Sequence, residues 1–349
     1  MSAKWKRSAG TEITAETEQI KRNIEIIATL KPDQITADFL REMVDSGMSI
    51  IRFNASHCTP EDLIPALELI RVSASDPMPA LMLDLPGTEY RVYGYDEVLP
   101  LQTGERIRIF ASGADHPEAG LISSYADFSS FEPGCQALFM NGEIRAEAVL
   151  VHSDSIVIEI LNAGSLRPNA HFWLQSQYYK CVDLPETDKK WINFSLDQRM
   201  QYLALSMIQV PAQIDQVREH IGKRMNAIKL VAKFETRSSL KHIDAIVERA
   251  DAVFVARDDL GSQIPVEAIP QVQKFIISRC NQHGKPVFVA TQMLSSMMEK
   301  PIPTRAEISD IANAVLEGAD GITLSEETAL GRFPLQSVRS AREIIRHCF

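Results

Sequence analysis

The feature of this chain that most narrows its fold is a rhythm. Eight short runs rich in β-branched and apolar residues recur along it: IEIIATL (24–30), SIIRFNAS (49–56), ALMLDLP (80–86), YLALSMI (202–208), AIKLVAKFE (227–235), AVFVARDDLG (252–261), PVFVATQM (286–293) and GITLSEET (321–328). Between most of them lie stretches with helical periodicity, such as 60–73, 211–223, 237–249 and 304–317. Strands that alternate with helices pair in parallel, because a parallel neighbour needs a crossover connection. Eight such units ending in a helix predict an α/β fold, a (β/α)8 TIM barrel; an open, doubly wound sheet is the alternative. At 349 residues and 45% hydrophobic, the chain can fill so large a core.

The rhythm breaks once. Between the third and fourth runs, the segments RIRIF, QALFM, AEAVLV and SIVIEIL carry strand signals separated by Gly, Asn, Asp and Pro. This predicts a small β-barrel-like lid domain at about 88–185, inserted into a barrel made of 24–87 and 186–349. A segment at 1–23 precedes the barrel, and residues 11–23 read as a helix packing on the barrel bottom. An insertion in a βα loop overlies the end of a barrel where active sites are built.

Bulk charge excludes some partners. The net charge is −10 with no basic stripe, which argues against nucleic acid and against an anionic membrane surface. No apolar run is long enough to cross a bilayer, and the N-terminus lacks the apolar core of a signal peptide. Five cysteines without a CxxC pair suit reduced thiols. The expectation is a cytoplasmic enzyme whose anionic substrates are held by locally placed basic groups.

The strands' carboxyl ends carry those groups. Period two in SIIRFNAS puts Ile50, Arg52, Asn54 and Ser56 on one face. The same rule groups Lys233 and Glu235 with Val231, Arg257 and Asp259 with Val255, Thr291 with Val289, and Ser325 and Glu327 with Thr323. Any one of these could be a solvated loop residue, but the repetition over several strands points to one polar lumen. Glu235 and Asp259 could hold a hard divalent cation. Arg52 and Lys233 could neutralise a phosphoryl group, and Lys233 could stabilise an enolate beside the metal. The residue types alone specify phosphate or enolate chemistry at a metal, without choosing between them.

At these residues the sequence resembles the pyruvate kinase family. IIRFNASH resembles its second-strand motif, LDLPGTEYR its Leu-Asp-Thr-Lys-Gly-Pro-Glu-Ile-Arg, VAKFE its catalytic-lysine motif and VARDDLG its Ala-Arg-Gly-Asp-Leu-Gly. The run from RCNQHGKPVFVATQM to SEETALGRFPL follows the family almost residue for residue. The resemblance covers about 24–349 and is weakest in the lid. It implies transfer of a phosphoryl group from phosphoenolpyruvate to ADP, giving ATP and pyruvate, as in glycolysis. It also implies Arg52 and Arg91 on phosphates and Lys233 on the enolate. Glu235 and Asp259 would bind Mg2+ (or Mn2+), and Asn54, Ser56, Asp84 and the carbonyl of Leu85 would bind K+, with Glu89 favouring K+ dependence. Thr291, with backbone amides near Asp258 and Asp259, would hold the substrate carboxylate. Ser325 and Glu327 would belong to a proton relay.

Departures from the family pattern gather on the nucleotide and phosphate side. Pro86 stands for a lysine, Leu85 for a threonine, Cys58 and Lys31 for glycines, and Met140-Asn141-Gly142 for Asp-Asp-Gly. RPNAHFWLQS has no clear counterpart of the family's Lys-Lys-Gly and Asn-Leu-Pro-Gly segments. Asp258 and Glu326 replace glycines. If strand parity holds to the strand ends, both face away from the lumen; if the turn is already irregular there, Asp258 sits near the substrate carboxylate and repels it. The sequence ends at Phe349, where relatives continue into a C-terminal regulatory domain. Control through such a domain is therefore not expected, and a homo-oligomer covering the last helices is. A repurposed enzyme acting on a pyruvate-like 2-oxo acid without nucleotide, as a lyase, decarboxylase or condensing enzyme, is the second functional expectation.

Overall fold

The computed structural model describes residues 23–73, 77–88, 90–113, 120–125, 127–174 and 183–349. Residues 11–22 of the expected helix, Glu89 and Cys181 lie outside them. All eight runs form strands: β1 (Glu25–Thr29), β2 (Ile50–Asn54), β3 (Ala80–Asp84), β4 (Tyr202–Leu205), β5 (Lys229–Phe234), β6 (Ala252–Ala256), β7 (Val287–Ala290) and β8 (Gly321–Leu324). They pair in parallel and in sequence order, and β8 closes on β1. The fold is a (β/α)8 barrel.

Helices pack around it: α1 (Ala37–Ser46), α2 (Pro60–Val72), α3 (Glu186–Asp197), α4 (Pro211–Ile221), α5 (Ile243–Arg249), α6 (Arg257–Gln263), α7 (Ile269–Gln282), α8 (Arg305–Glu317), α9 (Glu326–Ala329) and α10 (Pro334–Arg346). Their ends follow local chemistry. Thr59 Oγ1 accepts from the Asp62 amide while Asp62 accepts from the Thr59 amide, a reciprocal cap at the start of α2. Thr304 and Glu307 do the same for α8. No described helix is long and apolar enough to cross a membrane.

Two hydrophobic layers line the sheet. Outside, Ile51, Phe53, Leu230, Ala232, Val253, Val255, Val287, Val289, Ile322 and Leu324 pack against the helices. Inside, Ile27, Ile50, Met82, Val231, Phe254 and Phe288 fill the barrel. This reverses the expected phase of β6 and β7: Val255 and Val289 face outward, and Phe254 and Phe288 face inward. Every residue of AVFVA and VFVA is apolar, so alternation in those runs carries no phase. Pairing supplies it, because Lys233 lies beside Phe254, and Phe288 beside both Phe254 and Gly321. A Cβ at Gly321 would come within 2.7 Å of the Phe288 ring, so the glycine makes room for it.

The strands are also shorter than their sequence runs. After Asn54 the chain enters a 3₁₀ turn, with the Asn54 side chain accepting from the Ser56 amide at 3.0 Å. After Ala256 it turns directly into α6. Parity therefore does not extend to Arg257, Asp258 or Glu326.

Between β3 and α3 the chain forms a seven-stranded sheet, mostly antiparallel, running from Phe172–Leu174 at one edge to Val92–Tyr93 at the other. It has its own buried cluster, including Phe128, Phe139, Ile158, Phe172 and Trp173. Tyr90 stacks on Tyr125 and meets Trp173 edge to face. One barrel residue, Met207, joins this cluster from the turn after β4.

Candidate active site

At the carboxyl end of the barrel lies a cavity of about 170 Å³. Its floor is a buried ion network carried by strands. Asp84, 1% exposed, ends β3. One of its oxygens accepts from Arg52 Nε and Nη2 at 2.8 and 2.5 Å, and the other from Lys233 Nζ at 2.9 Å and Ser206 Oγ at 3.0 Å. Arg52 also donates to Thr29 Oγ1 at 2.6 Å. Lys233 completes its three donors with Ser206 Oγ at 2.8 Å and Glu235 Oε1 at 2.7 Å. The second Glu235 oxygen accepts from the Met207 amide at 2.6 Å.

Charge balance follows from this wiring. Burial alone would push Asp84 up, but Lys233 and Arg52 outweigh it and hold the carboxyl below its usual range. Burial opposes charge on Lys233, yet Asp84 and Glu235 keep its ammonium protonated well past the usual lysine range. Glu235 is different. Burial pushes it up to about 7, and Asp259 and Asp84 add to that against the pull of Lys233. The site therefore has a carboxylate short of positive charge.

The rim is made by turns. Thr291 follows β7 with φ +73°, and Gln292 has φ +51°. Left-handed backbone at non-glycine residues costs of order 1–3 kcal/mol each and is concentrated at functional sites. Thr291 Oγ1 accepts from the Asp258 amide at 3.1 Å and donates to the Ala290 carbonyl at 2.6 Å. Asp258 lines the cavity beside Asp259, contrary to the parity expectation, because α6 has already begun. Burial raises the Asp258 carboxyl to about 6; Glu326 and Glu327 add to this and Arg257 opposes it. Glu326 is exposed.

Of the residues singled out in the sequence, Arg52, Asn54, Ser56, Asp84, Leu85, Arg91, Lys233, Glu235, Asp258, Asp259 and Thr291 all line this cavity. Three do not. Arg257, expected in the lumen, instead pairs with Asp310 on α8 at 2.7 Å. Ser325 and Glu327 lie off the cavity wall. The buried Glu327 carboxylate accepts from the Leu294 amide at 3.0 Å and the Ser325 amide at 2.7 Å, tying the β7 and β8 loops together.

Among the lining residues with no assigned binding or catalytic role are His57, Ser206, Met207, His171 and Trp173. Ser206 was within reach of parity, two residues after the inward-facing Ala204. Met207 (φ +61°) and the lid pair carried no sequence signal.

The donor set fits a hard divalent cation. Among the described residues no group of three or more His, Cys, Asp or Glu side chains converges on one point. Two carboxylates are nonetheless what Mg2+ takes when it keeps water and substrate oxygens. The charge deficit at Glu235, raised by Asp259, is what such a cation would relieve. Asn54, Ser56 and the Leu85 carbonyl supply oxygen donors suited to a monovalent cation, which would share Asp84 with Arg52 and Lys233.

A closed barrel with lysine, arginine and paired carboxylates at its carboxyl end, roofed by an inserted β domain, defines a lidded barrel enzyme that handles anionic substrates. The profile of the family described as "Pyruvate kinase, barrel domain" matches residues 21–338. The pyruvate kinase of Mycobacterium tuberculosis is 34% identical over 328 residues, covering 93% of this chain and 70% of that one. That of Borreliella burgdorferi is 31% identical over 329 residues (94% and 68%), and that of Geobacillus stearothermophilus 33% over 332 (93% and 57%). The chain belongs to the pyruvate kinase family, a family of transferases.

Proposed function

We propose that this chain transfers a phosphoryl group between phosphoenolpyruvate and ADP through an enolate held on Lys233. The observation that carries the reading is the buried Arg52–Asp84–Lys233–Glu235 network. It keeps a permanently charged ammonium and guanidinium fixed at the mouth of the barrel. Lys233, with its donors aimed by three partners, places positive charge where the enolate oxygen develops. Arg52, with Arg91 from the lid, neutralises phosphate oxygens. Thr291 orients the substrate carboxylate, once its hydroxyl turns from Ala290 toward the cavity. When bound at Glu235 and Asp259, a divalent cation supplies charge for the phosphoryl and enolate oxygens. K+ at Asn54, Ser56, Asp84 and Leu85 adds positive charge at the same end. The lid domain excludes water when it covers this mouth. Glu327, held by the Leu294 and Ser325 amides, ties together the loops behind Thr291.

The test is pyruvate release from phosphoenolpyruvate with ADP, Mg2+ and K+, against Lys233→Met. Nucleotide-dependent turnover, reduced at least about a hundredfold by the substitution, is expected. Turnover unaffected by Lys233→Met would overturn the assignment.

One observation favours a second reading. Asp258 places an extra carboxyl in the cavity beside the proposed carboxylate cradle, and Pro86 and Trp173 line the same space. Enolate chemistry on a 2-oxo acid without nucleotide would follow if no nucleoside diphosphate supports turnover while pyruvate or oxalate still binds with Mg2+.

A further inference from the structure

We propose that Arg257 is a positioning residue for Thr291, an inference that rests on the reading of this cavity given above. β7 ends at Ala290, and the next two residues, Thr291 and Gln292, both take left-handed backbone without being glycine. For a β-branched residue that conformation is a steric outlier and has to be held by its surroundings.

The holding group is one guanidinium. Arg257 Nε donates to the Thr291 carbonyl at 3.1 Å, and Nη2 donates to the Thr291 and Gln292 carbonyls at 2.5 and 3.1 Å. The remaining edge, Nη1, donates to both Asp310 oxygens at 2.9 and 2.7 Å. Asp310 sits on α8, so the fork is fixed between two helices and the turn, and its side chain is only 12% exposed. The next residue along completes the grip, because the Asp258 amide donates to Thr291 Oγ1. Two consecutive residues at the start of α6 thus fasten Thr291 by its carbonyl and its hydroxyl. Arg257 does not line the catalytic cavity and acts on it only through Thr291.

A salt bridge that merely joined α6 to α8 would involve Asp310 alone. The carbonyl bonds to the strained pair are the part that a purely structural pair does not need. A lysine cannot take over, since a single ammonium cannot span two carbonyls and a carboxylate in one plane.

The test compares Arg257→Met, Arg257→Lys, Thr291→Val and the Arg257→Met/Thr291→Val double variant in the whole chain. Expected is a rise in KM for phosphoenolpyruvate of about tenfold or more for Arg257→Met, with a smaller change in kcat. Lysine should not rescue it, and the double variant should be no worse than Thr291→Val alone. Effects that multiply, or an unchanged KM, would overturn the proposal. Hydrogen exchange provides a readout that needs no turnover. The Asp258 and Leu294 amides should exchange faster in folded Arg257→Met, and unchanged protection would also overturn it. If the wild type turns over no substrate, the functional reading fails, and exchange still decides the role of Arg257. Should Arg257→Met not fold, Asp310→Asn loosens the same fork and is read in the same way.

Discussion

Arg52, Asp84, Lys233 and Glu235 on the cavity floor stand on or just past three strands, β2, β3 and β5, with β4 between the last two, and every charge there has a partner in the protein. Thr291, Asp258 and Asp259 on the rim stand on turns, two of them in the first turn of α6 and one in strained backbone. The two halves are stabilised differently. The floor is held by a barrel whose interior is packed on Ile50, Val231, Phe254 and Phe288, so its geometry is set before any ligand arrives. The rim is held by single polar contacts, and a change in one of them moves a ligand group without unfolding the barrel. All four floor residues match the motifs by which the sequence resembles the family, whereas the rim sets one departure, Asp258, beside the matching Asp259 and Thr291.

The largest expected effect tests the floor. Asp84→Ala leaves Arg52 and Lys233 buried without the carboxylate they share and should cost about 3–5 kcal/mol of stability. Urea unfolding monitored by fluorescence measures it. A loss below about 1 kcal/mol would mean that the floor is no more preorganised than the rim.

A smaller effect belongs to the rim. Asp258→Gly removes a carboxyl from beside the proposed substrate carboxylate and should lower KM for phosphoenolpyruvate by about tenfold, with little change in unfolding midpoint. Weaker binding instead would show that Asp258 contacts a donor group on the natural substrate, which favours the second reading.

The smallest effect concerns Glu307, which fastens the loop after β7 to α8 by accepting from Ser296 and Thr304. Partial burial raises its carboxyl, but these hydrogen bonds outweigh burial and the net shift is downward. A depressed acid contributes stability above the ordinary glutamate value of about 4.3 and loses it as pH falls through its lower folded value. Thermal midpoints of the wild type and Glu307→Gln should therefore differ by the equivalent of about 0.5–1 kcal/mol near neutrality. They should converge as the pH falls through that lower folded value. A gap that persists in acid would mean that shape rather than charge holds this edge of the rim.

Legibility follows the same division. SIIRFN and KLVAKF each contain polar residues in an apolar run, so alternation fixes their phase, and Arg52, Lys233 and Asn54 were readable as lumen residues. AVFVA and VFVA contain none, and their phase was misread. For Asp258 the sequence leaves two sides open, and the start of α6 directly after Ala256 decides for the cavity side. Ser206 could have been found by extending parity from Ala204 by one step. His171 and Trp173 reach the cavity only because the lid folds back over the barrel, and no local pattern encodes that return.

What the sequence alone determined is the periodic part: eight strands, their helices, the inserted β segment and the polar residues that mark the inner face of half-polar strands. These follow from side-chain alternation and capping, which act over a few residues. Only the tertiary structure decided the phase of the all-apolar strands, the turn that holds Thr291, the removal of Arg257 from the lumen and the placement of the lid residues. Those depend on register, ring packing such as Phe288 over Gly321, and hydrogen bonds between groups far apart in the chain, which no short window contains.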